Sequence, residues 1–319
     1  MRKMLLAFAA TVLVGATATV GAQDTKRLSI GTGGTGGVYY PLGGGMADIL
    51  SKHVPGWQAT AEVTGASVAN LQLIGQGKQD FGLSMADAAW DAISGLGKFK
   101  GRKVEARTLM VLYPNKVHVV TTEASGVKSV ADFKGKRIST GEPNSGTELL
   151  AMRLLEAAGI DKDVDRERLS VAEGVNAIKD RKIDGLIWVG GLPTAAITDL
   201  ATTPGITVRL IDHAEYSDAL NKKWGPLYVK GTIPKDTYKN QTTDVGNLDV
   251  WNLLVADAKM TDDMAYTIVK TLMEHKPELV AVHREANNIT LEAQAAGSPI
   301  PFHPGAKKYF AEKGVKFKD

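Results

Sequence analysis

The chain has 319 residues, 38 Lys and Arg against 35 Asp and Glu, a formal charge of +3 at pH 7 and no Cys. Without Cys there is no disulfide framework or thiolate metal site, and so even a charge balance excludes the concentrated basic surface that a nucleic-acid partner needs. The length suffices for a large core and exceeds the usual single domain, so two domains are expected.

In chain order, residues 1–22 read as an export signal: Arg2 and Lys3, an apolar run over residues 4–14, then small residues ending Val20-Gly21-Ala22, with cleavage after Ala22. The apolar run is far shorter than the roughly 20 residues that span a bilayer. No Cys follows it for lipid attachment, so a periplasmic chain free of the inner membrane is expected.

Beyond the signal, short apolar segments alternate with helical patterns. Strands are expected at 27–30, 59–63, 81–83 and 108–112. Between them Leu42, Met46, Ile49 and Leu50, then Val68, Leu71 and Ile74, then Ala89, Ile93 and Leu96 mark helices. The pattern restarts with strands at 117–121, 137–139, 169–171, 186–189 and 207–211, and a helix carrying Ala151, Leu154, Leu155 and Ala158. Residues 234–247 read as a loop, 250–256 as a late buried strand, and Ala265, Ile268, Val269 and Leu272 as a following helix. Alternation of this kind predicts α/β lobes with largely parallel sheets. If the late strand returns to the first lobe, the lobes comprise 23–115 with 256–319, and 116–255, and a ligand cleft lies between them.

The stretch SIGTGGTGGVYYPLGGG, residues 29–45, contains a formal G-x-G-x-x-G at Gly31, Gly33 and Gly36. A dinucleotide site needs an acidic residue about 20 residues further on. Glu62 lies 26 residues past Gly36, Pro41 interrupts the helix start, and export removes the chain from cytoplasmic cofactors, so no cofactor is expected. The loop retains the capacity to hold an anion, because amides converging at a helix N-terminus favour negative charge. A plain glycine turn is the alternative. A second loop, STGEPNSGTELL, places Ser145 three residues before Glu148, the spacing of a capping box. Gly82-Leu83-Ser84-Met85-Ala86 approaches the nucleophile elbow of a serine hydrolase but ends in Ala where Gly relieves the strained turn. His53, His118, His213, His275, His283 and His303 are scattered, without H-x-x-x-H spacing, and no metal is expected.

The segments IGTGGTGGVYYPLGGGMADIL, VTGASVANLQLIGQGKQDFGLSMADAA, YPNKVHVVT, SVADFKGKRISTGEPNSGTE and GGLPTAAI together resemble the TAXI group of solute-binding receptors that serve tripartite ATP-independent periplasmic (TRAP) transporters. The likeness covers essentially the whole chain after the signal, and T-G-G-x-Y-Y-P joined to S-V-x-N is its most specific part. It implies a two-lobed type II periplasmic binding fold, no enzymatic activity and a small organic anion as ligand, delivered by a monomer to the membrane subunits of the transporter. Glutamate, glutamine and 2-oxoglutarate are ligands of similar receptors. The matching positions are Thr35, Gly36, Tyr39, Ser67, Asn70 and Asp87 in the first lobe, and Thr140, Asn144, Ser145, Gly146, Thr147, Gly190 and Pro193 in the second. Amides and hydroxyls of Thr35, Gly36, Ser145, Gly146 and Thr147 would hold carboxylate oxygens, Asn70 would donate and accept, and Tyr39 would close a wall. Asp87 is expected to start a helix rather than touch an anion. Where similar receptors read V-Q-S-D, this chain has Ser84-Met85-Ala86-Asp87, which shifts the expectation toward a C4 to C5 dicarboxylate or keto acid over an amino acid. A hydrolase centred on Ser84 and a binding-protein-like sensor module are the rival functions.

Overall fold

The computed structural model describes residues 25–317. The expected export signal lies outside the described residues. The elements are β1 Lys26–Gly31, α1 Tyr39–His53, β2 Trp57–Glu62, α2 Ser67–Gly75, β3 Phe81–Met85, α3 Ala86–Ser94 and the long β4 Ala106–Thr122. There follow β5 Arg137–Ser139, α4 Gly146–Ala157, β6 Asp165–Glu167, α5 Val171–Lys179, β7 Gly185–Gly190, α6 Ala195–Thr202, β8 Val208–Leu210, α7 Ser217–Trp224 and β9 Val229–Ile233. The chain ends with β10 Val245–Asp257, α8 Asp262–Glu274, α9 Lys276–Val282, α10 Leu291–Ala296 and α11 Pro304–Glu312.

The strands run in the order β2-β1-β3-β10-β4-β7-β5-β6, with β8 on β4 and β9 on β10. Parallel pairs at either end, β2-β1-β3 and β7-β5-β6, are joined through the antiparallel pair of β10 and β4. These two long strands belong to both halves. β10 lies beside β9 from Val245 to Asp249 and beside β3 from Asn252 to Ala256, while β4 takes β7 as a neighbour from Lys116 to Thr121. The result is the two-lobed type II periplasmic binding fold, with β4 and β10 as the crossing strands. The expected lobe boundaries at 115/116 and 255/256 fall inside them.

The local sequence accounts for most elements. Met46, Ile49 and Leu50 of α1, and Val68, Leu71 and Ile74 of α2, are buried at helical spacing. The strand expected at 169–171 is not formed: Ser170 caps α5 in a reciprocal pair with Glu173, and Val171 already lies in the helix. The strands expected at 108–112 and 117–121 are one continuous β4, because Pro114, which has no amide to give, sits beside the register shift opposite Trp251. The loop expected over 234–247 yields its last residues to β10. At the C-terminus, Thr108 of β4 donates its amide to Pro301 and accepts from that of His303, which fastens the final segment onto the first lobe.

Candidate functional site between the lobes

Five helices begin at one cavity. Val38 and Tyr39 come from the start of α1, Ala66 and Ser67 from that of α2, Met85 from the residue before α3, Ser145, Gly146 and Thr147 from α4, and Ser170 and Val171 from α5. Each helix follows a strand that points at the cleft, as ligand sites of α/β sheets require. Ser145 Oγ accepts the Glu148 amide at 2.9 Å and Ser170 caps α5, whereas α1, α2 and α3 have no side-chain cap. Amides in a first helical turn lack intrahelical acceptors, and the aligned peptide dipoles add partial positive charge. Helix N-termini brought together in this way can hold an anion without any cationic side chain.

Its charged lining is confined to Glu142, half-buried on the loop before α4 and facing Gly34 across the cleft; no Lys or Arg lines it. Burial first, then the negative charge of Glu173, holds the Glu142 carboxyl above its usual range. A second acceptor lies on the floor. Asn115, 1% exposed at the centre of β4, donates through Nδ2 to Asn252 Oδ1 at 2.8 Å, and its own Oδ1 has no partner. The amide orientation is set by a chain of contacts: Asn252 Nδ2 donates to the Tyr113 carbonyl, which turns Asn252 Oδ1 toward both Asn115 and the Tyr39 hydroxyl. Buried acceptors without a donor are uncommon in native proteins and mark where one is supplied. Burial pushes the Tyr39 phenol well up, so it remains a donor to Asn252. Trp188 forms a wall, held by its Nε1 donating to Thr194 Oγ1 at 2.9 Å.

The sequence-matched residues divide into three groups. Tyr39, Ser67, Ser145, Gly146, Thr147 and Gly190 line the cavity. Thr35 and Gly36 sit at its mouth, where a Cβ at Gly36 would come within 3.2 Å of Ala172 and 3.3 Å of Val171 of the opposite lobe. Asn70, Asp87, Thr140, Asn144 and Pro193 do not reach the lining. Asn70 is spent on the fold, donating to the carbonyls of Thr32 and Leu83 and accepting from Thr64. Thr140 accepts from Arg166 Nε, and Pro193 follows a cis peptide bond. Asn144, in the left-handed region at φ 63°, accepts the Ala69 amide from the other lobe. Asp87 lies in the first turn of α3, where it accepts from the Ala88 amide and the Tyr228 hydroxyl and faces Arg153 at 3.6 Å. Asn115 and Glu142 were not singled out from the sequence. Ser84 is buried within β3 and its hydroxyl donates to the Met85 carbonyl rather than to a histidine. Lys116, at the crossing of the lobes but outside the cavity lining, pairs with Asp249 at 2.6 Å.

The lobes are tightly apposed. The cavity volume open to the centre of a water molecule is ≈ 30 Å³, room for about two waters on the usual scale of roughly 10–15 Å³ each. A larger ligand has to enter with the lobes parted.

The NMT1-like family matches residues 30–314, nearly the whole described chain. The chain belongs to that family. It is a family of periplasmic solute-binding type, and no helix among the described residues is long and apolar enough to cross a membrane. Solved structures similar to this NMT1-like chain include a protein from Bordetella bronchiseptica RB50, with a TM-score of 0.57 and 15% identity over 91% of this chain and 99% of that one. A putative L-cystine ABC transporter protein from Listeria monocytogenes aligns with a TM-score of 0.50 and 14% identity, over 86% of this chain and 98% of the other. At these identities the likeness establishes the fold.

Proposed function

We propose that the chain is a monomeric receptor that captures a small organic carboxylate between lobes 23–115 with 256–319 and 116–255, and delivers it to the membrane subunits of a TRAP transporter. The delivery step rests on the sequence resemblance, and the carboxylate on the convergence of five helix N-termini on the cavity. Ser67, Ser145, Gly146 and Thr147 hold the carboxylate, Tyr39 and Trp188 enclose the ligand, and Thr35 and Gly36 seal the mouth. Gly190 completes the wall beside Trp188, and Asn70, Asp87, Thr140, Asn144 and Pro193 position these groups.

Among the expected ligands, the lining favours an amino acid such as glutamate over a plain dicarboxylate or 2-oxoglutarate. Glu142 and the free Asn115 Oδ1 are acceptors. An ammonium donates to such acceptors, whereas the keto oxygen or methylene that stands in its place in 2-oxoglutarate or a plain dicarboxylate brings no proton there. The ligand shifts an open and closed equilibrium by touching both lobes at once.

Thermal shift against matched pairs, glutamate with 2-oxoglutarate and aspartate with oxaloacetate, tests this reading, because a ligand of the native state raises the melting temperature by mass action. The amino member of a pair should stabilise the protein and the Glu142→Gln variant should respond less. A stronger response to the keto member refutes the amino assignment, and silence across every pair refutes the carboxylate receptor. A neighbouring gene for a large multi-spanning permease supports transport; a neighbouring sensor kinase supports the sensor module.

A further inference from the structure

We propose that His53, His275 and Glu278 bind a divalent transition-metal ion of the zinc, nickel and copper class on the first lobe, far from the ligand cleft. The inference is independent of the proposed function. Helix α1 starts at the cleft and ends at His53, which its 15 residues carry about 20 Å away at 1.5 Å per residue.

The three side chains converge because α1 ends where α8 turns into α9. His275 lies between the latter two helices, its amide donating to the Thr271 carbonyl at 3.1 Å. Pro277 in the first turn of α9 and the Glu278 amide donating to the His275 carbonyl at 2.9 Å fix Glu278 three residues further on. His53 Nε2 then stands 2.7 Å from Glu278 Oε1, and His275 Nδ1 stands 3.3 Å from the same oxygen. One donor atom from each residue lies within 4.8 Å of the others, and this is the group of three such side chains found among the described residues. Tetrahedral ligands bonded at about 2.0–2.2 Å stand roughly 3.4 Å apart, so small movements bring these atoms to coordination distance. Lys52 Nζ takes the second oxygen, Glu278 Oε2, at 3.0 Å, which orients the carboxylate and leaves Oε1 for the ion.

The imidazoles stack with centroids 3.5 Å apart and planes 10° from parallel. Glu278 Oε1 lies against a nitrogen of each ring, and an ion held by all three groups needs one lone pair from each ring aimed at a single point. The rings must therefore tilt out of the stack. Side-chain exposures of 22% for His53 and 33% for His275 leave room for that rotation. Two imidazoles and one carboxylate with an open fourth position suit zinc, nickel or copper rather than calcium or magnesium, which prefer oxygen ligands throughout.

The test uses the tag-free, chelator-stripped mature protein titrated with Zn²⁺ by calorimetry, and with Co²⁺ followed by its visible absorption as a four-coordinate reporter. One equivalent should bind saturably. In His53→Gln and His275→Gln affinity should fall by more than the roughly 10–100-fold that losing an outer-shell partner costs, while the response to cleft ligands is unchanged. Glu278→Gln, which keeps the shape of the turn, serves as a third variant should either histidine change impair folding. Absence of a saturable equivalent for Zn²⁺, or binding that persists in all three variants, overturns the assignment.

Discussion

Replacing Arg153 with Met should disable closure rather than the ligand contacts themselves. Arg153 lies on α4 of the second lobe and is 4% exposed, yet its carboxylate partners belong to α3 of the first lobe. Nη2 donates to Asp91 Oδ2 at 2.6 Å, Nη1 faces Asp87 Oδ2 at 3.6 Å, and the Tyr228 hydroxyl accepts from Nη1 at 2.7 Å while donating to Asp87. Asp87 and Asp91 have 0% and 3% side-chain exposure, so the closed form buries two carboxylates against one guanidinium. With Met in its place both acids stay buried without a cation, and breaking a buried pair in this way costs about 3–5 kcal/mol. When the lobes part, water relieves that cost, so it falls on the closed form alone. Apparent ligand affinity scales with the closed fraction, which predicts a loss of about 10²–10⁴-fold. Burial raises the Asp87 pKa against the pull of Arg153, so the loss should shrink at pH 5, where an unpaired Asp87 takes a proton more readily. Calorimetric titration with the best-responding amino acid, together with small-angle scattering of the ligand-free form, reads both effects. An affinity within threefold of the parent and an unchanged scattering profile would refute the assignment of this cluster to closure.

Two further expectations follow from buried groups. His118 and His213 have pKa values lowered to about 3 and about 4, in both cases chiefly by burial, against roughly 6.5 in an unfolded chain. The folded state excludes protons that the unfolded state binds, so their contribution is intact above pH 6.5 and is lost as pH falls toward 4. At pH 5 each costs about 2 kcal/mol; equal urea midpoints at pH 7.5 and pH 5 would contradict this. In Gly146→Ala, a Cβ would stand 2.5 Å from Met85 Sδ and 2.7 Å from Ser67 Oγ of the opposite lobe, so ligand affinity should drop about 5- to 150-fold, by the 1–3 kcal/mol typical of overpacking. The ligand-free melting temperature should stay near that of the parent, and an unchanged affinity would show that closure does not bring α4 onto α2.

Much of this was legible in the sequence because the apolar spacing of single elements is a local property. The helix faces of α1, α2, α4 and α8 stand where Leu42, Val68, Leu154 and Ile268 put them. The Leu169-Ser170-Val171 triplet misled as a strand although Ser170 and Glu173 already carried the capping spacing. The strand β9, VKGTI, is mostly exposed and has little apolar signal to read. For the site, the loops and Ser145 were readable from turn and cap chemistry. The significance of Asn115 was not, since its free oxygen results from Asn252, 137 positions away, occupying its amide. Likewise His275 and Glu278 have a legible spacing, but the third donor, His53, comes from a distant helix that only the tertiary fold brings alongside.

The crossing of β4 and β10 also imposes an order on assembly. Every element from β5 to β9 lies between the two crossing strands in sequence, so the second lobe can gather its neighbours as one contiguous piece of chain. The first lobe draws β1 to β3 from one end and α8 to α11 from the other, and β3, already beside β1, gains its second neighbour only when β10 has been synthesised. Its contacts carry the longest loop closures in the molecule, which slow folding and keep apolar strands exposed for longer. In a chain synthesised from its N-terminus, that lobe is the one left waiting for β10 and the helices after it.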